Sequence, residues 1–170
     1  TSFWSNAAPA LKMMRIQGAS AVKELAPLNA IFDQKAIDPS SAGNAMRKIV
    51  KGSFMDDRTK TDLKAKYKLK LDLVDNKGEF KGIKNLLKEL DKLKNYSTEA
   101  KIDIVESVWG NDAEVAKTLN ALIDTGTSGY EQWNKKIENQ ASLNQRIAIS
   151  LNTLSNRWDA LKGSATNALA

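Results

Sequence analysis

Between residues 68 and 90 the hydrophobic rhythm of the chain changes. Leu69, Leu71 and Leu73 alternate with Lys68, Lys70 and Asp72, the period-two pattern of a half-buried strand. After Gly78 the apolar positions become Phe80, Ile83, Leu86, Leu87, Leu90 and Leu93, the spacing of an amphipathic helix. Asp75-Asn76-Lys77-Gly78 stands at the switch and suits a type I turn closed by a glycine with positive φ. The segment therefore reads as a short β-hairpin over about 68–81, with Phe80 returning to the apolar face. A calcium loop would need oxygen ligands at positions 1, 3 and 5, Gly at 6 and Glu at 12. Counted from Asp72, Val74, Lys77 and Ile83 fall at positions 3, 6 and 12; counted from Asp75, Lys77 and Phe80 fall at 3 and 6. Neither register holds a metal.

The rest of the pattern is helical. Asn6, Pro9 and Gly18 frame a first helix. Ser20 opens a second, with Leu25, Leu28, Ile31 and Phe32 on one face and Pro27 placed to kink or divide it. Asp38 and Pro39 are the N-cap and first residue of a third, with Met46, Ile49, Val50 and Phe54 on one side; these three are expected to pack together. Residues 56–67 form a short charged helix whose Asp56 and Asp57 are N-terminal charges. Ser97 or Thr98 starts another helix, stopped by Gly110. Asn111 with Glu114 resembles a capping box for a helix that Gly126 ends. From Ser128 no residue forces a break until Gly163. Tyr130, Trp133, Ile137, Gln140, Asn144, Ile147, Leu151, Leu154, Trp158, Leu161 and Ala165 alternate steps of three and four, a heptad seam that at about 1.5 Å per residue would extend roughly 50 Å over 128–162. Polar Gln140 and Asn144 on such a seam favour particular registers and partners. A long amphipathic helix lying on its own core is the plainer alternative, since Ala141, Ala148 and Ile149 broaden the apolar face. The expected fold class is mainly α: a small helical domain over 1–126 carrying the hairpin, then a long heptad-bearing helix over 127–170 that projects or pairs.

Composition narrows the chemistry. The 170 residues contain neither cysteine nor histidine, which removes disulfides, thiolate sites, Ser-His-Asp triads and histidine metal sites. No apolar run reaches the eighteen or so residues needed to cross a bilayer, so the chain is expected to be soluble; starting at Thr1, it reads as a fragment or processed product. The net charge of +6 is uneven: residues 47–94 hold 15 Lys and Arg against 8 Asp and Glu. That basic middle, with Lys64, Lys66, Lys68 and Lys70, raises nucleic-acid binding; interspersed acids and few aromatics favour a solvated lysine surface instead. Ser20-Ala21-Val22-Lys23 matches S-x-x-K without its partner motifs, and no glycine-rich phosphate loop is present. The sequon Asn95-Tyr96-Ser97 means little without secretion. Trp4, Trp109, Trp133 and Trp158 read as core or interface anchors. No catalytic residue, metal ligand or cofactor site is expected.

The order of elements resembles the core region of phage tail tape measure proteins over about residues 8–170. Paired helices end in a small-residue motif, Ser41-Ala42-Gly43-Asn44-Ala45-Met46-Arg47; a D-x-x-G turn follows, matched by Asp75 and Gly78; an aromatic-Gly motif, matched by Trp109 and Gly110, precedes a helix containing Ala113 and Ala116. Trp replaces the commoner Phe before Gly110, and 48–67 is unusually rich in lysine. The resemblance implies a non-enzymatic structural module that acts in tail length determination and assembly and resides in the virion after assembly in the bacterial host. It implies as partners further copies of the chain, the tail tube protein and assembly chaperones, with no specific nucleic acid and no membrane contact. The packing or oligomer seam is expected to comprise Tyr130, Trp133, Ile137, Ile147, Leu151, Leu154, Trp158 and Leu161. A basic nucleic-acid-binding module and a membrane-active helical effector are the competing classes.

Overall fold

A computed structural model describes residues 19–169, with side chains described for 24–149 and 152. The helix expected over 6–18 lies outside the described residues. The described chain is mainly helical: α1 (Ala19–Gln34), α2 (Pro39–Gly52), α3 (Asp57–Tyr67), α4 (Ile83–Asp91), α5 (Thr98–Trp109) and α6 (Ala113–Leu169). It separates into two units, Thr1–Trp133 and Asn134–Ala170.

Local chemistry sets most helix starts. The Asp38 carboxylate accepts from the Ser41 N–H at 3.0 Å, with Pro39 in the first turn. Asp56 does the same for Thr59 at 2.7 Å, and Ser97 Oγ for Ala100 at 3.1 Å. Each satisfies a backbone donor that has no partner within the helix. Pro27 does not divide α1, which runs through it. Asp112, rather than Asn111, caps α6: its Oδ1 accepts from the Val115 N–H at 3.2 Å.

Within the first unit, α1 packs on α2, and α2 and α3 both pack on α5. Leu28, Ile31, Ala42, Ile49, Leu86, Ile104 and Leu119 are fully buried in a single core. The apolar face of α4 enters this core through Ile83, Leu86, Leu87 and Leu90. Charged α3 contributes Leu63. At its far end the Tyr67 and Tyr96 rings meet edge to face at 5.9 Å, and the Tyr96 hydroxyl donates to the Tyr67 carbonyl at 3.0 Å.

In the 68–81 segment, where a hairpin is expected, antiparallel pairing is confined to the residues beside the turn. Its turn closes through Gly78 N–H to Asp75 O at 3.0 Å, and Val74 and Phe80 form one antiparallel bridge. No strand extends from it among the described residues. The reason is length: only 79–82 return before α4 begins at Ile83, so no returning limb reaches Leu69 and Leu71, and the Leu69 N–H goes to Leu63 O of α3 at 3.3 Å instead. Those leucines are buried nonetheless, and side chains of α4 and of Lys92 just after it hold the backbone of Lys70 and Asp72. Glu89 Oε1 accepts from the Asp72 N–H at 2.6 Å, Asn85 Nδ2 donates to Asp72 O at 2.8 Å, and Lys92 Nζ donates to Lys70 O at 3.0 Å.

α6 contains one break. Gly126 has φ 67° and ψ −178°, a backbone region essentially restricted to glycine. The Thr127 N–H beyond it lies 3.3 Å from Asp91 Oδ1, so α4 supplies an acceptor to the restarted helix.

Candidate functional site

The residues singled out by the sequence motifs sit at architectural joints. Gly43 is buried in α2 among Ala42, Ala45 and Met46. Asp75 Oδ1 accepts from the N–H groups of Lys77 and Glu79, both at 2.9 Å, which ties the turn that Gly78 (φ 78°) closes. Trp109 Nε1–H donates to the Ile49 carbonyl at 2.9 Å, joining the end of α5 to the end of α2. Its ring occupies the space beside Gly52, where an added Cβ would come within 2.3 Å of Trp109 Cδ1. Gly110 (φ 82°) then ends α5, its N–H donating to Glu106 O at 2.9 Å.

The residues of the heptad seam have different environments. Tyr130 is 1% exposed, belongs to the core, and donates its hydroxyl hydrogen to Glu24 O at 2.8 Å. Burial, with the Glu24 and Glu131 charges, pushes its phenol up to about 12. Trp133 is partly buried against the same core, and Ile137 is half-buried. Farther along α6, residues 138–149 are exposed, including Leu143 at 53% and Ile147 at 48%. Leu151, Leu154, Trp158 and Leu161 lie in α6, but their side chains are outside the described residues.

Pairing with acids tempers the basic middle. Lys48 Nζ lies 2.8 Å from Asp112 Oδ2, Lys66 2.7 Å from Asp103 Oδ2, and Lys84 3.5 Å from Glu131 Oε1. All three acids come from outside 47–94. Lys81 pairs with Asp72 at 2.6 Å, Lys92 with Glu89 at 2.8 Å and Lys94 with Asp91 at 3.5 Å. The Lys48 hydrogen bond holds the Asp112 carboxyl below its usual range, helped by the Val115 N–H. The Lys66 ammonium and then the Tyr67 hydroxyl do the same for Asp103, and the shared Asp103 bond raises the Tyr67 phenol. Sequence position gave no sign of this pairing, since the Lys48 and Asp112 partners are 64 residues apart.

Sequence reasoning also missed a groove of about 410 Å³ between the 69–74 segment, α3 and the turn after α2. The exposed aromatic Phe54, which the helical pattern assigned to a packing face, lies among its lining residues and was the available signal. Among the described residues no group of three or more acidic side chains is placed to hold a metal, and no helix is long and apolar enough to cross a membrane. In comparisons with known proteins, the chain matches no family model, no curated protein and no solved structure.

Proposed function

We propose that this chain is a structural module of a phage or prophage tail tape measure protein, acting in tail length determination and tail assembly rather than as an enzyme. The observation that carries the reading is the course of α6. Its residues after Trp133 belong to a second unit, and within it residues 138–149 are exposed, Leu143 and Ile147 among them. Isolated helices gain little from propensity alone and are stabilised chiefly by packing an apolar face. In this reading the heptad spacing of Ile137, Ile147, Leu151, Leu154, Trp158 and Leu161 provides that face, and other copies of the chain cover it. The 68–81 segment serves as a minimal β-hairpin carrying the D-x-x-G turn. Tail tube protein and assembly chaperones are the further partners, and the finished protein lies in the virion tail. The paired lysines support a solvated surface over a nucleic-acid track.

Tail length in a phage encoding this chain tests the reading. Deleting residues 134–169 in frame spares Tyr130 and Trp133 and should shorten tails by roughly 50 Å, at about 1.5 Å of helix per residue. Tails of unchanged length and normal number would overturn a role in length determination. Loss of all tails would confine the segment to assembly.

A further inference from the structure

The groove beside the 69–74 segment has an open backbone edge. In an extended chain every second residue points its N–H and C=O to the same side. On one side, Glu89 and Asn85 of α4 take the Asp72 N–H and carbonyl, and Lys92 just after it takes the Lys70 carbonyl. In the alternate set the Leu69 N–H goes to Leu63 O at 3.3 Å, while the Leu71 N–H and C=O and the Leu69 C=O, in residues that line the groove, make no hydrogen bond among the described residues. Leu73 O, the last acceptor of that set, is taken by Lys81 N–H at 2.9 Å, where the returning limb ends. The open set therefore continues the register of an antiparallel partner just where the chain's own partner stops.

The groove walls supply side-chain chemistry. Met55 and Leu63 give an apolar floor, and Phe54 stands 42% exposed in the lining. Lys60, Lys64 and Lys70 also line the groove. Lys60 and Lys64 are one turn apart on α3 and form no ion pair among the described residues. The acid in the lining, Asp72, already holds Lys81 at 2.6 Å.

We propose that this groove docks an extended acidic peptide segment of a partner protein, apolar at every second residue, by adding it as a strand along Leu69–Leu73. The open amide and carbonyls of Leu71 pair with the peptide backbone, alternate apolar side chains enter the space beside Phe54 and Leu63, and acidic side chains meet Lys60 and Lys64. Strand addition uses main-chain bonds for affinity and pockets at alternate positions for specificity. The proposal does not depend on the tape measure reading.

The test is fluorescence anisotropy of the full chain with a labelled octapeptide alternating glutamate and valine. Three comparisons accompany it: the same peptide with lysine for glutamate, a version N-methylated at alternate amides, and oligothymidylate as competitor. The acidic peptide should bind. Lys60→Glu with Lys64→Glu, both on the exposed side of α3 and checked for an unchanged melting curve, should weaken it about tenfold, as expected for reversing two exposed attractions. N-methylation should abolish binding, and oligothymidylate should not displace the peptide. Absence of binding at about 1 mM peptide, a weak limit even for transient docking, would overturn the proposal and leave the lysines as protection of an exposed edge. Equal binding of the N-methylated or lysine peptide, or displacement by oligothymidylate, would overturn it as well.

Discussion

Tyr130 shows how far one position can depart from the role its spacing suggests. Its place in the three-four series makes it the first residue of a pairing seam, yet its ring fills the domain core and its hydroxyl reaches Glu24 O at 2.8 Å. Replacing it with Phe keeps the ring and leaves that carbonyl without its donor, a loss of about 1 kcal/mol near neutral pH. The pH dependence follows from the neutral phenol being the buried form. A group whose folded pKa lies above its unfolded value contributes stability fully present below the unfolded value and lost as pH rises through the folded one. For Tyr130 the window runs from 10.0 to about 12. Chemical denaturation across that window should show the native chain losing stability more steeply than Tyr130→Phe, so that the two converge at alkaline pH. Parallel curves would mean that the phenol ionises without cost in the folded state. At the acid end, the lowered carboxyls of Asp72 and Asp112, each held first by a lysine hydrogen bond, act with the opposite sign. Their stabilisation is present above the unfolded value and fades as pH falls through the folded one.

At the scale of the element, Gly126 breaks α6 within the domain, since Tyr130 and Trp133 beyond it still pack on the core. Its φ of 67° with ψ near 180° is strained for any residue with a Cβ, and an added Cβ would also lie 2.8 Å from Asp91 Oδ1. Gly126→Ala should therefore cost about 1–3 kcal/mol and weaken the Asp91 cap on Thr127. Thermal denaturation measures the first effect. The second predicts that Asp91→Asn costs less in the Gly126→Ala background than in the native chain, and additive losses would show that the two residues act separately. Much of this level was legible in the sequence, because caps and stops are local. Asp38 and Ser97 each bond a donor three residues ahead, as does Asp56, expected only as an N-terminal charge, and Gly110 and Gly126 mark real breaks. The misreadings share a cause, competition the pattern does not contain. Asn111 and Asp112 are both able to cap, and it is Asp112, whose other oxygen holds the distant Lys48, that does so. Leu69, Leu71 and Leu73 have the alternation of a strand, but a strand also needs a partner of equal length, and α4 begins too soon to leave one. On the opposite edge of the segment, the backbone groups of Lys70 and Asp72 are held by Glu89, Asn85 and Lys92 instead.

At the scale of the whole molecule, the packed core and the exposed part of α6 obey different requirements. The core buries its own apolar face through Leu119, Leu122, Ile123 and Tyr130, all before the boundary at Trp133. A chain ending at Trp133 should accordingly unfold in one cooperative transition, with a midpoint within a few degrees of the full chain's. In the second unit residues 138–149 are exposed, the apolar Leu143 and Ile147 among them. A seam of this spacing is stabilised when a second helix covers it. Sedimentation equilibrium should then give an average mass that rises with concentration for the full chain and stays at one chain for the truncated form. Ile147→Glu should lower the association constant by about tenfold or more, since a charge at a seam position must be desolvated on pairing. Association that survives both changes would place the contact within the domain, and the groove along Leu69–Leu73 would be the first surface to examine. A monomer at every concentration, with the helical signal of 134–169 intact, would mean that the helix is stable without a second copy and that its apolar positions await a different protein.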